Sequence, residues 1–191
     1  MNSYVIGIDA GCTVTKSALF DLHGNEIACA RRSNKIIFPN PGWTERDATA
    51  MLEAAAATVK STIEQAGIKP RDVLAISVTG YGSGLDLLDR NGDPVISGIL
   101  PTDVRGKDIV AEWYSDGRAE TLKTMIQQSS FASQSLVLLA WLQRHAPEVL
   151  DKTHRVLFCK DVLRAWLCGD FSTDYTDAGT AGLLDCHAQE Y

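Results

Sequence analysis

The chain has 191 residues, of which 45% are apolar and 22% charged, and a formal charge of −6. That length and balance fit one globular domain with a sizeable core, and the negative charge excludes bulk binding to nucleic acid or to anionic membrane surfaces. No apolar run reaches the length of a membrane span. Three strands open the chain, at 4–9, 16–21 and 26–31, as an antiparallel meander with His23-Gly24-Asn25 as a turn. An irregular stretch with Pro39, Pro41 and Gly42 follows. Asp47 then caps a helix that runs to Ala66 and stops at Gly67, with Met51, Ala55, Val59, Ile63 and Ala66 predicted inward. Pro70 precedes a strand, 73–79, whose apolar run predicts burial. A glycine-rich loop, Gly80–Gly84, leads to a predicted strand pair, 85–88 with 95–96, turning at Arg90-Asn91-Gly92-Asp93. Helices are predicted over 105–115, with Ile109, Val110 and Trp113 inward, and over 134–144, apolar on most sides. Pro147 starts a shorter piece, 155–158 reads as a strand, and 160–168 as a helix stopped by Gly169. From Phe171 onward the chain is rich in Asp, Thr, Gly and Ala and yields no clear periodicity.

The densest chemistry lies in Ile6-Gly7-Ile8-Asp9-Ala10-Gly11-Cys12-Thr13-Val14-Thr15-Lys16. An apolar strand ends in an aspartate, and a tight turn with glycine and a hydroxyl residue leads to a lysine. One hairpin tip therefore holds a carboxylate, several backbone N–H groups and a cation, the parts needed for Mg²⁺ and nucleotide phosphates. The alternative is an ordinary hairpin whose Asp and Gly only shape the turn. No GxGxxG follows the first strand and no GxxxxGK[ST] occurs, so neither a Rossmann domain nor a P-loop is indicated. Meander, helix, strand, helices, strand and helix make a mixed sheet with helices packed on it.

Five cysteines, at 12, 29, 159, 168 and 186, show no metal-ligand spacing. Their odd number, with a strand starting almost at once and leaving no room for a signal peptide, predicts reduced thiols and a cytoplasmic location. Cys12 sits where turn amides could lower its pKa, but it reads as a stand-in for a hydroxyl residue, not as a nucleophile. His23, His145, His154 and His187 have no metal-ligand spacing either.

Several blocks together resemble the FGGY carbohydrate kinases, especially the xylulokinase and L-xylulose kinase branches. Gly7-Ile8-Asp9-Ala10-Gly11-Cys12-Thr13 resembles the family's first phosphate motif, and Gly42-Trp43-Thr44-Glu45-Arg46-Asp47 its Gly-Trp-x-Glu-x-Asp block. Ser77–Leu88 is similar to its sugar-selecting strand–loop–strand, and Ile99–Arg105 to the segment whose Asp and Arg face the sugar. Lys160-Asp161-Val162-Leu163-Arg164 with Gly169 is similar to a Lys-Asp-Tyr-Leu-Arg…Gly run, and Thr173–Ala178 to the block after it. The resemblance spans essentially the whole chain. It implies a ribonuclease-H-like, actin-type α/β fold with helices on both faces of a mixed sheet, residues 1–191 being the N-terminal domain, incomplete at its C-terminal end. It implies ATP-dependent phosphorylation of a small sugar, a ketopentose such as xylulose or a relative.

In that scheme Asp9 holds Mg²⁺, the backbone around Gly11, Cys12 and Thr13 cradles phosphate, and Lys16 neutralises developing charge. Tyr81, Gly82 and Ser83 occupy the sugar-selecting positions, departing from the Gln-Met-His of xylulokinases and the Gln-Arg-Glu of glycerol kinases. Asp103 is an acceptor for sugar hydroxyls with Arg105 beside it, and it can also cap the following helix. Trp43 is read as packing the loop against the core rather than as a sugar platform. The partner is a small sugar, with neither nucleic acid nor membrane, and a homodimer is a further option. The family's general base lies in a Gly-Asp stretch expected beyond Tyr191; Asp170, Asp174, Asp177 and Asp185 read as turn and cap residues. The alternative reading is a non-catalytic sugar- or nucleotide-binding regulatory protein of the same fold.

Overall fold

Alternation along the first strands fixes which way the opening sheet faces. In the computed structural model, which describes residues 3–188 and 190, β1 (Tyr4–Ala10) buries Ile6, Ile8 and Ala10, and β2 (Val14–Asp21) buries Thr15, Ser17 and Leu19. β3 (Glu26–Ser33) completes the meander. The β2–β3 turn is held by Asp21, whose Oδ1 accepts the His23 and Asn25 amides at 2.8 and 2.9 Å. The sheet order is β3-β2-β1-β5, with β5 (Val73–Gly80) parallel to β1.

α1 (Ala48–Ala66) crosses this sheet, capped by Asp47 at its start and by left-handed Gly67 at its end. Helical spacing predicts Val59, Ile63 and Ala66 in the core; these three are only partly buried, and the helix instead buries Thr58 and Thr62 beside Met51 and Ala55. The reason is polar pairing: the Ser17 and Thr58 hydroxyls lie 2.7 Å apart, and Thr62 Oγ1 donates to the Ser17 carbonyl at 3.0 Å. A threonine whose hydroxyl finds a backbone acceptor can take a core position that a hydrophobicity pattern assigns to a neighbour.

After a single 3₁₀ turn at Pro70–Asp72, β5 departs from its predicted burial. Leu74 is 63% and Ile76 41% exposed, because β5 ends the sheet order; Ile76 lines an open groove of about 590 Å³ shared with α1 residues and with Trp166 and Leu167. The remainder of the chain builds short pairs and helices beyond the strand ends. β4 (Glu45–Arg46) pairs with β7 (Gly98–Ile99), and β6 (Asp86–Leu88) with β8 (Arg155–Leu157). The predicted hairpin of 85–88 with 95–96 is thus corrected. Its turn is present, but the second arm contributes only a Leu88–Pro94 bridge and the Val95 amide to Leu87, and the regular partner of β6 comes from much later in the chain.

α2 (Lys107–Ser115) starts after Gly106 and not at Arg105; α3 (Arg118–Ile126) was not predicted. α4 (Ser135–His145), α5 (Pro147–Lys152), α6 (Cys159–Cys168) and the short α7 (Tyr175–Thr180) follow. α6 packs Val162 and Leu163 into the same core as Ile6, Ile8 and Leu19. Leu85, Leu87, Ile99, Leu138 and Leu142 form a second core, and Ile109, Trp113, Ala119 and Val137 a third. No helix among the described residues is long and apolar enough to cross a membrane.

Candidate active site at the strand ends

The carboxyl ends of the parallel strands β1 and β5 lie side by side, Ala10 opposite Gly80. Crevices outside such ends are where open α/β sheets take ligands. The backbones are close there: a Cβ at Gly80 would sit 2.7 Å from Cys159 Sγ and 3.3 Å from the Ala10 carbonyl. Only glycine lets β5 reach the start of α6 and the end of β1 together.

The β1–β2 turn closes with the Gly11 amide donating to the Val14 carbonyl at 3.1 Å. Its carbonyl side is tied to the protein. Asn34 Nδ2 donates to Gly11 O at 2.7 Å, the Asn34 amide to Thr13 O at 2.8 Å, and Arg46 Nη1 to Gly11 O at 3.2 Å. Cys12 is half-buried and Thr13 exposed at the tip. Burial raises the Cys12 pKa, with Arg46 opposing, so its thiol is protonated and the expected lowering by turn amides does not prevail.

Asp9 and Lys16 face each other in register, Nζ to Oδ2 at 3.2 Å, each 44% exposed. They lie on the sheet side away from α1, along a trough of about 320 Å³ shared with Gly7, Ala18, Cys29 and Ser77. An ion pair so exposed contributes at most about 1 kcal/mol, so either partner can turn to a phosphate or a cation at little cost.

The second wall is the Gly80–Gly84 loop. Ser83 adopts φ 62° and Gly84 φ 78°. Left-handed backbone at a non-glycine residue costs about 1–3 kcal/mol and needs support from its surroundings. Here the Gly84 amide donates to Ser133 O, and Ser135 Oγ donates back to Gly84 O at 2.7 Å. A Cβ at Gly84 would collide with the Ile99 carbonyl. Tyr81 is directed inward, its hydroxyl accepting from Arg46 Nη2 at 2.9 Å, while Gly82 faces Asp177.

Asp103 and Arg105 come together as a buried pair, 1% and 7% exposed. Asp103 Oδ1 accepts the Arg105 amide and Nε at 2.8 and 3.0 Å; Oδ2 accepts the Thr44 amide and Arg105 Nη2 at 2.8 and 2.9 Å. Both oxygens are thus occupied by protein donors, and a sugar hydroxyl would have to displace one. Asp103 does not cap α2, whose N-cap is Gly106 without a side-chain bond. Arg105 also pairs with Glu45 at 2.7 Å and lies 4.1 Å from the Trp43 ring centroid, which meets Trp141 edge-on at 5.0 Å. Trp43 therefore packs the 39–44 loop against α4.

Two clusters were not legible in the sequence. Lys160 pairs with Asp161, Asp174 and Asp177 at 2.6, 2.9 and 2.8 Å, and these bonds raise its pKa against the opposing effect of burial. Asp174 also caps α7, and Asp185 accepts the His187 and Ala188 amides, as turn and cap residues should; Asp177 does more, placing a carboxylate beside Gly82. The second cluster is Arg46 with Tyr81, Asp86 and Cys159, all buried or nearly so. Among the described residues no group of three or more His, Cys, Asp or Glu could hold a metal ion. The five cysteines are free thiols.

Comparison with known proteins matches this architecture. The family model described as the N-terminal domain of the FGGY family of carbohydrate kinases matches residues 4–191. The chain is 31% identical over 189 residues to a probable L-xylulose kinase of Pasteurella multocida, covering 99% of this chain and 39% of that protein. It is 30% identical over 191 residues to the L-xylulose/3-keto-L-gulonate kinase of Escherichia coli, covering 100% of this chain and 38% of that protein. The crystal structure of xylulose kinase from Rhodospirillum rubrum superimposes with a TM-score of 0.89 at 28% identity, over 97% of this chain and 38% of that one. The chain thus spans about two fifths of the length of the curated relatives it matches. With a ribonuclease-H-like mixed sheet and a family match along nearly its entire length, this chain belongs to the FGGY family of carbohydrate kinases.

Proposed function

We propose that this chain supplies the phosphate-facing and sugar-facing walls of a site that transfers phosphate from ATP to a hydroxyl of a small sugar. One observation carries the reading: the Asp9–Lys16 pair and the Gly11 turn sit at the carboxyl ends of β1 and β5, next to the strained Gly80–Gly84 loop. Lys16 neutralises charge developing on the transferred group, and the turn backbone at Cys12 and Thr13 faces phosphate oxygens, with Gly11 shaping the turn through its amide's bond to the Val14 carbonyl. Asp9 suits Mg²⁺, which is commonly held by one or two carboxylates with phosphate and water completing its shell. Asp9 is exposed enough to serve so, and the weak pairing with Lys16 leaves it available. Bound Mg²⁺ would supply charge neutralisation across the phosphates.

On the sugar side, Tyr81, Gly82 and Ser83 take the positions that the family resemblance gives to sugar selection, and Arg105, fixed by Asp103 and Glu45, keeps Trp43 and its loop in place. The family resemblance places the general base in a Gly-Asp stretch outside residues 1–191 and gives that role to none of the late aspartates, of which Asp174 and Asp177 pair with Lys160 and Asp185 holds a turn. A ketopentose such as xylulose, or a related sugar, is the favoured substrate. Gly82 and Ser83 leave the pocket wall small and weakly polar, and the relatives above carry L-xylulose kinase names. Glycerol would leave pocket polar groups unpaired, at about 1–3 kcal/mol each, or about tenfold to a hundredfold in kcat/KM. The test is kcat/KM for a panel of ketopentoses, polyols and glycerol with the full-length protein. A ketopentose should rank first, and Ser83→Ala should alter the ranking. Glycerol in first place would overturn the substrate assignment, and an unchanged ranking in Ser83→Ala would remove Ser83 from the sugar wall.

A further inference from the structure

We infer that Arg46 is a positioning residue of this site, a single guanidinium that locks the phosphate-facing turn and the sugar-facing loop to one another. The inference rests on the kinase reading for what it positions, but its geometry stands separately. Arg46 belongs to the two-residue strand β4 and is 3% exposed. Nη1 donates to the Gly11 carbonyl at 3.2 Å; Nη2 donates to the Tyr81 hydroxyl at 2.9 Å and contacts Cys159 Sγ at 3.2 Å and Met51 Sδ at 2.6 Å. Its carbon Cζ lies 4.7 Å from the Tyr81 ring centroid. The two segments it bridges are 35 residues away in opposite directions along the chain.

A buried arginine is costly and cannot shed its charge, so it must be balanced and hydrogen-bonded where it stands. The balance comes from Asp86, 3% exposed, whose attraction acts through space; the hydrogen bonds described for Arg46 all go to other groups. Asp86 Oδ2 has no hydrogen-bond partner among the described residues, and Gly98 leaves room for this carboxylate because a Cβ there would collide with Oδ1. Had Arg46 served only as a counter-charge for Asp86, its donors would be expected on the carboxylate. They lie instead on the two site segments. The planar fork is what allows this, since its donors point along separate fixed directions, whereas a lysine ammonium offers one point charge on a flexible stem.

The deciding variant is Arg46→Lys in the full-length protein, which retains the charge but not the fork. We expect a folded protein of lower thermal stability, because the buried fork loses hydrogen bonds, with kcat lowered about tenfold or more well below its melting temperature, the scale at which small misplacements act. Tyr81→Phe should lower kcat in the wild-type background and have no further effect in Arg46→Lys. A kcat within about twofold of wild type in Arg46→Lys would overturn the inference, as would fully multiplicative losses in the double variant. If Arg46→Lys does not fold, hydrogen exchange in Tyr81→Phe decides: amides 10–14 should exchange several-fold faster than in wild type, and unchanged exchange there would overturn the inference. A wild-type protein without sugar-dependent turnover would remove the kinase reading, and exchange at 10–14, which needs no turnover, would then decide Arg46 by itself.

Discussion

Replacing Asp86 by asparagine probes the buried charge beneath the site through pH. Burial raises the Asp86 carboxyl from 3.8 to about 6, and Arg46 only partly offsets this. In the unfolded chain the group titrates near its ordinary value. Below about pH 4 both states hold the proton, and above about pH 6 both have released it; between these the native state keeps a proton that the unfolded state gives up. Stability from this group is therefore fully present below the unfolded value and is lost as pH rises through about 6. Each unit corresponds to about 1.4 kcal/mol, so the loss from pH 4 to pH 7 is of the order of 3 kcal/mol. Asparagine occupies nearly the same volume and carries no charge at any of these pH values. Chemical denaturation of wild type and Asp86→Asn at pH 4, 5, 6 and 7 gives the difference directly, with the exposed carboxylates cancelling between the two proteins. The variant should gain on wild type steadily up to about pH 6 and then hold constant. A difference independent of pH over this range would refute the claim that Asp86 is a desolvated carboxylate facing a fixed arginine.

Gly84→Ala should lower the melting temperature by about 5 °C or more, since alanine there combines left-handed strain with a collision against the Ile99 carbonyl; an unchanged melt would show that the loop relaxes freely. Leu74→Lys, on the edge strand β5, should change stability by less than about 0.5 kcal/mol in chemical denaturation; a loss of about 2 kcal/mol or more would contradict its 63% exposure. Residues 1–191 by themselves should show no sugar-dependent ADP release with Mg²⁺ and ATP, and robust turnover would place the general base within them.

What could be read from the sequence was what depends on neighbours along the chain. Strict alternation and Gly24 reveal the meander, and Asp47 with Gly67 brackets α1 because caps are local chemistry. α3 escaped notice because its polar nine residues lack a strong apolar stripe and its N-cap is Gly117 without a capping side chain. The β6–β8 pairing was hidden because a turn at 90–93 advertises a nearer partner, while the true one is set by packing about seventy residues away. At the site, Asp9 and Lys16 were legible as strand-end residues facing across a tight turn. The Arg46 cluster was not, since its meaning arises from contacts to Gly11, Tyr81 and Cys159 that only the tertiary fold creates.

The most direct test of the account is Asp9→Asn in the full-length protein, assayed for sugar-dependent ADP release with Mg²⁺ and ATP. The substitution preserves size and removes one exposed charge, so unfolding should be nearly unchanged. If Asp9 faces the metal and phosphates, kcat should fall by about two orders of magnitude or more. A variant with normal folding and near-normal turnover would return Asp9 and its turn to the role of an ordinary hairpin.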